Sequence, residues 1–123
     1  PMERTMEYYL QKGFVPKMAA YFAAGRRTIT EVVPNRDFSL TLTFDNGEQR
    51  ILDVAPLLRE GTVFAPLRDW NHFSRVYLDE DHAVSWDIDP KVDSKVVWSN
   101  KVDLCPDSCY VDSVPISGGE VRA

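Results

Sequence analysis

The segment FSLTLTFDNGEQRILDV, residues 38–54, decides the fold class of this chain of 123 residues. In its first half, apolar residues alternate strictly with serine and threonine. The apolar members are Phe38, Leu40, Leu42 and Phe44. Such alternation predicts a β-strand with one buried face and one exposed face. The glycine-containing DNG that follows, and the mixed EQRILDV after it, predict a hairpin.

Two turn registers compete for this hairpin. A two-residue Asn46-Gly47 turn would place Asp53 opposite Leu40. A three-residue loop over residues 45–47, with Gly47 left-handed, would instead place Leu52 opposite Leu40 and Val54 opposite Phe38. Because the second register pairs apolar with apolar residues, we favour the three-residue loop.

Residues on the N-terminal side of the hairpin predict two short helices and one further strand. Thr5 can cap a helix through MEYYLQK that ends at Gly13. Pro16 suits the first turn of a second helix, which Gly25 ends. TITEVVP then predicts a strand before the hairpin. Neither helix is long enough to be stable alone, so the pair must pack on each other or on the rest of the domain.

Residues on the C-terminal side predict short helices mixed with strands. We expect helices in PLLRE, PLRDWNH and PDSCYVD, the last capped by Cys105. FSRVYL and AVSW predict a hairpin across DEDH, and KVVW predicts one more strand. The fold class is therefore α+β, a small, mostly antiparallel sheet with helices packed on one face. We divide the chain into an N-terminal helical extension (1–28), an α+β domain (29–114) and a flexible tail (115–123).

Charge is unevenly distributed along the chain, whose formal net charge is −5. Residues 1–78 hold ten Lys and Arg against nine Asp and Glu, whereas residues 79–113 hold three Lys against nine acids. A solvated acidic face explains this, and so does a surface that attracts a basic protein. No apolar run approaches a membrane span, and PMERTMEYYL lacks the apolar stretch of a signal peptide. We therefore expect a cytoplasmic protein without membrane contact.

Motifs for catalysis or metal binding are weak. Cys105 and Cys109 are four residues apart rather than the three of a redox pair, and Asp107 between them disfavours a thiolate. His72 and His82 lack the paired spacing of zinc ligands. DIDPKVD has acids at alternate positions but no central glycine or distal glutamate of a calcium loop. No phosphate loop or nucleophile elbow is present. The sequence thus predicts a protein that is not an enzyme and uses no cofactor.

The order of several motifs over residues 29–112 resembles the bacterial domain-of-unknown-function family 2442. The matching positions are Phe44, Gly47, Asp53, Leu57, Leu58, Phe73, Trp98, Asp103, Pro106 and Tyr110. The helix pair resembles an extension found in a subset of that family. Two departures are a longer segment between Trp86 and Trp98, and Lys101 where a W-x-N-G turn often has glycine.

The resemblance implies a small bacterial protein, suggested to be the antitoxin half of a toxin–antitoxin pair, and carries over no catalytic residue. We therefore predict a domain that masks a small basic protein, the cognate toxin, and that also forms a homo-oligomer. Tryptophans beside acids suit such an interface, although Trp86 and Trp98 also suit core positions on strands. The predicted partner-binding residues are Trp86, Asp87, Asp89, Asp93, Trp98 and Asp103.

Two alternative functions remain open. A DNA-binding autoregulator would use the helix pair with Arg26 and Arg27, although an acidic chain lacks the broad basic face that nucleic-acid binding normally needs. A small-ligand-binding domain would use the open face of the sheet.

Overall fold

The structure is a computed structural model that describes residues 5–116. The helices are, in chain order, α1 (Met6–Gln11), α2 (Pro16–Ala24), α3 (Trp70–Phe73) and α4 (Pro106–Asp112). The strands are β1 (Ile29–Pro34), β2 (Ser39–Phe44), β3 (Gln49–Asp53), β4 (Tyr77–Leu78), β5 (Val84–Asp87), β6 (Lys101–Leu104) and β7 (Val114–Pro115). Short 3₁₀ turns cover Ala55–Leu57, Ala65–Arg68 and Trp98–Asn100. The α+β class is confirmed.

The strands form two antiparallel sheets rather than one. The first has the order β1-β2-β3-β7 and the second has the order β4-β5-β6. Residues from both sheets join one buried cluster, with Leu40, Leu42 and Phe44 from the first sheet and Val84 and Trp86 from the second. The two sheets therefore share a single hydrophobic core.

The predicted hairpin register is confirmed. Leu40 lies opposite Leu52, and the N–H of Val54 donates to the carbonyl of Phe38 at 3.0 Å. Gly47 has a φ of 83°, the left-handed conformation that the three-residue loop needs. The alternative register, with Asp53 opposite Leu40, is wrong because Asp53 pairs with Ser39.

Both N-terminal helices also match the prediction. The Thr5 side chain accepts a hydrogen bond from the N–H of Tyr8, and Pro16 starts α2. Tyr9, Phe14 and Phe22 pack ring against ring, with centroids 5.2 to 5.5 Å apart. This aromatic contact is what joins two helices too short to be stable separately.

The segments after the hairpin differ from the prediction in detail. PLLRE forms only the 3₁₀ turn Ala55–Leu57, and PLRDWNH is split in two at Asp69, whose side chain caps α3 through the N–H of Asn71. The hairpin across DEDH and the helix capped at Cys105 are confirmed, although β4 has two residues only.

The predicted strand KVVW is wrong. Residues 95–98 are turns, and the last strand of the second sheet is β6 at Lys101–Leu104. Hydrogen bonds to Asp93 explain this. Its backbone carbonyl accepts from the N–H groups of Val96 and Val97, and its side-chain carboxylate accepts from the N–H of Lys95. Those bonds turn the chain before Trp98 and leave the apolar side chains of the segment outside the core.

The domain ends later than the predicted boundary. Pro115 pairs with Arg50 of β3, and the N–H of Ile116 donates to the carbonyl of Gln49 at 3.0 Å. The rest of the predicted flexible tail, residues 117–123, lies outside the described residues. In the described part of the chain, no helix has the length and apolarity needed to cross a membrane.

Candidate protein-binding surface

The second sheet has one face in the core and one polar face. Val84 and Trp86 of β5 are fully buried in the core, and strand alternation directs Ser85 and Asp87 to the opposite face, where Ser85 is also buried and Asp87 is half-buried. Residues that are paired across neighbouring strands have their side chains on the same face of the sheet. Ser85 is paired with Tyr77 of β4 and with Asp103 of β6, and Asp87 is paired with Lys101. We call the face that carries Tyr77, Ser85, Asp87, Lys101 and Asp103 the outer face.

Asp87 lies at the centre of a hydrogen-bonded network on the outer face. Asp87 Oδ1 accepts from the hydroxyl of Tyr77 at 2.7 Å and from the hydroxyl of Ser94 at 2.6 Å. Burial and the hydrogen bond to Asp87 raise the pKa of Tyr77 well above its usual range. Asp87 therefore serves as an internal acceptor that ties β5 to β4 and to the following turn.

An ion pair between Asp79 and Lys101 crosses the sheet. Lys101 Nζ lies 2.7 Å from Asp79 Oδ2, and the Asp79 side chain is only 8% exposed. Burial acts to raise the pKa of Asp79, but hydrogen bonds from Lys101 and from the N–H groups of Ala83 and Asp81 outweigh it and lower this pKa. The hydrogen bond with Asp79 in turn raises the pKa of Lys101. Both groups therefore stay charged at neutral pH.

Asn100 shapes the acidic turn that joins β5 to β6. Its Nδ2 donates to the carbonyl of Asp89 at 3.0 Å, the carbonyl of Val92 at 3.2 Å and the hydroxyl of Ser94 at 3.0 Å. Its Oδ1 accepts from the N–H of Asp89 at 2.9 Å. One buried amide thus satisfies four groups of a turn that has no regular secondary structure of its own.

Trp98 is the most exposed large apolar residue in the described part of the chain, at 83%. Its neighbours Val96 and Val97 are also exposed, at 75% and 45%. Trp98 lines a groove of about 500 Å³ on the outer face together with Tyr77, Asp79 and Glu80. These three adjacent residues form an apolar patch at the surface of the turn.

A second groove also has Tyr77 in its lining. It has a volume of about 540 Å³ and is lined by Asp87 and by residues of the turn, including Lys91 and Asp93. The half-buried Tyr77 therefore contributes to both grooves.

The structure places the six predicted partner-binding residues in three ways. Trp86 is fully buried, and its Nε1 donates to the carbonyl of Phe73 at 2.9 Å, so it cannot touch a partner directly. Asp87 is half-buried in the network with Tyr77. Trp98, Asp89, Asp93 and Asp103 are exposed. The core interpretation of the two tryptophans is thus confirmed for Trp86 and wrong for Trp98.

Sequence reasoning did not single out Tyr77 or Asn100, and it included Asp79 and Glu80 only as members of the acidic segment that begins at residue 79. Asn100 had a usable signal, because asparagine in a short turn after an acidic segment is typical of a side chain that bonds the backbone. Tyr77 had no signal of its own, since the contacts that define its role come from the other strands of the sheet.

Arg26 and Arg27, the predicted nucleic-acid contacts, face carboxylates of their own chain. Arg26 binds Asp107 through Nε at 3.2 Å and Nη2 at 2.9 Å, and Arg27 Nη1 lies 4.0 Å from Asp45. The Tyr21 hydroxyl also donates to Asp107, at 2.6 Å. Burial and this hydrogen bond raise the pKa of Tyr21 to about 12. These contacts attach α2 to α4.

The two cysteines are free thiols in different surroundings. Cys105 is exposed at the start of α4, whereas Cys109 is buried within it. Burial raises the pKa of the Cys109 thiol to about 12, which disfavours the reactive thiolate. Across residues 5–116, no group of three His, Cys, Asp or Glu side chains is arranged to hold a metal ion.

These features define a small α+β protein with a polar, acidic sheet face and an exposed tryptophan. The family model described as Protein of unknown function (DUF2442) matches residues 29–113, more than two thirds of the chain. The protein is a member of this family. Searches of the curated proteins and of the solved structures find no match. The matched range covers β1 to β6, α3 and α4 but leaves out α1, α2 and β7.

Proposed function

We propose that this protein is a non-enzymatic, protein-binding domain that recognises a small basic protein through its outer face. We call the proposed contact area, formed by Val96, Val97, Trp98 and the exposed acids Glu80 and Asp93, the Trp98 surface. The observation that carries the proposal is the 83% exposure of Trp98 beside a groove that is lined by the charged residues Asp79, Glu80, Lys95 and Lys101. Tryptophan is the side chain most enriched among residues that dominate protein–protein affinity.

The charges around Trp98 favour a basic partner. Asp79 pairs with Lys101, and Asp87 accepts from Tyr77 and Ser94. The exposed acids of this region, Glu80, Asp89, Asp93 and Asp103, outnumber its exposed lysines, Lys91 and Lys95. Such a rim accelerates the approach of a positively charged protein and repels an acidic one. In this role the protein would act as the antitoxin component of a bacterial toxin–antitoxin pair, by covering the working surface of a basic toxin.

The test is capture of a partner followed by measurement with purified proteins. The immobilised chain should retain a small basic protein from a lysate of its native organism, and that protein should arrest growth unless the two are expressed together. Trp98→Ala should then weaken affinity by about 30-fold or more, the size of a hot-spot residue. Val63→Ala is the matched control, because Val63 is 66% exposed but lies outside the Trp98 surface.

Reversing surface charge separates the contribution of the acidic residues to binding from that of Trp98. Glu80→Lys should slow association and reduce its dependence on salt, whereas Glu31→Lys on β1 should change neither. Asp93 is left unchanged, because its carboxylate accepts from the N–H of Lys95 in the turn before Trp98. Asp87 is unsuitable for such a reversal, since a lysine there would break the bonds from Tyr77 and Ser94. Retention of no specific protein, or equal affinity of the Trp98→Ala and wild-type chains, would contradict the proposal.

A further inference from the structure

The outer edge of β6 is an open strand edge. β6 is the last strand of the order β4-β5-β6, and β5 is the described element in extensive contact with it. An unpaired edge presents N–H and C=O groups that can bind another strand. Whether β6 can bind another strand depends on which of its backbone N–H and C=O groups point away from β5.

The backbone hydrogen bonds between β5 and β6 determine which groups of β6 point away from β5. The N–H of Ile88 donates to the carbonyl of Asn100, so residues 88 and 100 form a hydrogen-bonded pair. Hydrogen-bonded pairs recur at every second residue, which makes Trp86–Val102 and Val84–Leu104 the next ones. Lys101 and Asp103 therefore direct their backbone groups away from β5, toward the open edge.

Two of these outward groups matter most. The N–H of Lys101 already donates to the carbonyl of Trp98. Among residues 5–116, neither the carbonyl of Lys101 nor the N–H of Asp103 has such a partner. The edge thus offers one acceptor and one donor, two residues apart on the same strand.

We propose that β6 pairs with β6 of a second copy of this chain, antiparallel about a two-fold axis at Val102. In this register each Asp103 N–H donates to the Lys101 carbonyl of the other copy. The same register sets each Asp103 carboxylate across from the Lys101 ammonium of the other copy, an attractive cross-strand pair. A shifted register with Asp103 across from Asp103 would place two negative charges side by side. Electrostatic repulsion therefore favours the register in which Asp103 lies across from Lys101.

The other strand edges are less suited to a copy. The outer edge of β1 carries Pro34, which has no N–H, and a bulge between Ile29 and Glu31. β7 has two residues and one of them is Pro115. The short strand β4 packs against β1. β6 is a four-residue edge with neither proline nor bulge.

The proposed dimer has one six-stranded sheet made from the two copies. Its outer face would carry both Trp98 surfaces, next to the β6 edge, because the Trp98 carbonyl accepts from the outward N–H of Lys101. The inference does not rest on the proposed function, because the pairing of β6 with a second copy needs no other protein.

The test measures the mass of the purified full chain in solution across a range of concentrations. The wild-type chain should reach twice the mass of one copy. Asp103→Pro removes the outward N–H and should raise the dimer dissociation constant about tenfold or more. Asp103→Lys sets lysine across from lysine at two places and should have an effect of similar size. Asp103→Asn keeps the N–H and is the matched control, with a change of about threefold or less.

A cross-link tests the register itself. In the proposed pairing, Val102 faces Val102 of the second copy at a position without backbone hydrogen bonds, where the Cα atoms lie about 4.5 Å apart. Val102→Cys should therefore form an intermolecular disulfide on oxidation when Cys105 is replaced by serine, and Asp103→Cys in the same background should not. A wild-type chain that stays monomeric would overturn the proposal. A dimer that both Asp103→Pro and Asp103→Lys leave intact would also overturn it, and would assign dimerisation to another surface.

Discussion

Two residues other than glycine adopt a left-handed backbone within residues 5–116, Phe38 with φ 63° and His82 with φ 62°. This conformation is unfavourable for a side chain with a Cβ atom, more so for a bulky one. Phe38 offsets the cost by packing, since its ring centroid lies 5.0 Å from that of Phe73. His82 offsets it with a hydrogen bond from Nδ1 to the carbonyl of Ile29 at 3.0 Å. That bond connects the β4–β5 hairpin to β1 of the other sheet.

Replacing His82 by glycine and by alanine should separate backbone strain from the lost hydrogen bond. Both variants lose the imidazole, but only glycine tolerates φ 62° freely. We expect His82→Gly to be more stable than His82→Ala by about 1 kcal/mol. Urea unfolding of the two variants measures the difference directly. Equal stability would show that the hairpin relaxes to another turn without cost.

At the scale of elements, α1 and α2 are attached to the domain through a small polar contact. Arg26 and the Tyr21 hydroxyl converge on Asp107 of α4, and the Tyr21 ring lies 5.1 Å from that of Tyr110 between centroids. α1 has no buried residue. The helix pair therefore depends on α2 for its attachment, and α2 depends on Asp107.

Removing this carboxylate should open the helix pair without unfolding the sheets. Asp107→Ala removes the short bond from the buried Tyr21 hydroxyl and leaves it only the longer bond to the carbonyl of Arg27 at 3.4 Å, at a cost of about 1–3 kcal/mol. We expect faster amide hydrogen exchange in residues 6–24 and unchanged protection in β2 and β3. Asp112→Ala is the control, because Asp112 lies on the same helix and is exposed. Uniform loss of protection would show that the helices and sheets unfold as one unit.

At the scale of the whole molecule, the acidic chain depends on a few internal ion pairs. Asp79 with Lys101 spans the second sheet, and Glu48 binds Arg50 at 2.6 Å and accepts from Tyr110 at 2.7 Å in the first. Burial acts to raise the pKa of Glu48, but these hydrogen bonds outweigh it and lower the pKa, as they do for Asp79. Both carboxylates connect elements that are far apart in sequence.

A lowered pKa in the folded state sets the direction of the pH dependence. The unfolded pKa of aspartate is about 3.9, so the stabilisation from Asp79 is complete above about pH 4 and is lost as pH falls through the lower folded pKa. We expect Asp79→Asn to reduce the free energy of unfolding by about 1–3 kcal/mol at neutral pH and by less in acid. Urea unfolding at both pH values tests this, with Glu31→Gln on exposed β1 as the control. A deficit that does not shrink in acid would contradict the assignment.

The sequence by itself determined the central hairpin and the boundaries of α1, α2 and α4. The alternation of apolar and polar residues in β2 and the position of Gly47 suffice to predict that Leu40 pairs with Leu52. Both signals are local, because the face of each side chain and the length of the turn depend only on neighbouring residues. Caps at Thr5, Gly25 and Pro106 are local for the same reason. Only the tertiary structure decided which tryptophan is buried. Trp86 and Trp98 lie in similar acidic and apolar surroundings in sequence, but β5 pairs on both sides and places Trp86 in the core. The segment before Trp98 finds no strand partner, because Asp93 and Asn100 bind its backbone in turns, so Trp98 stays at the surface.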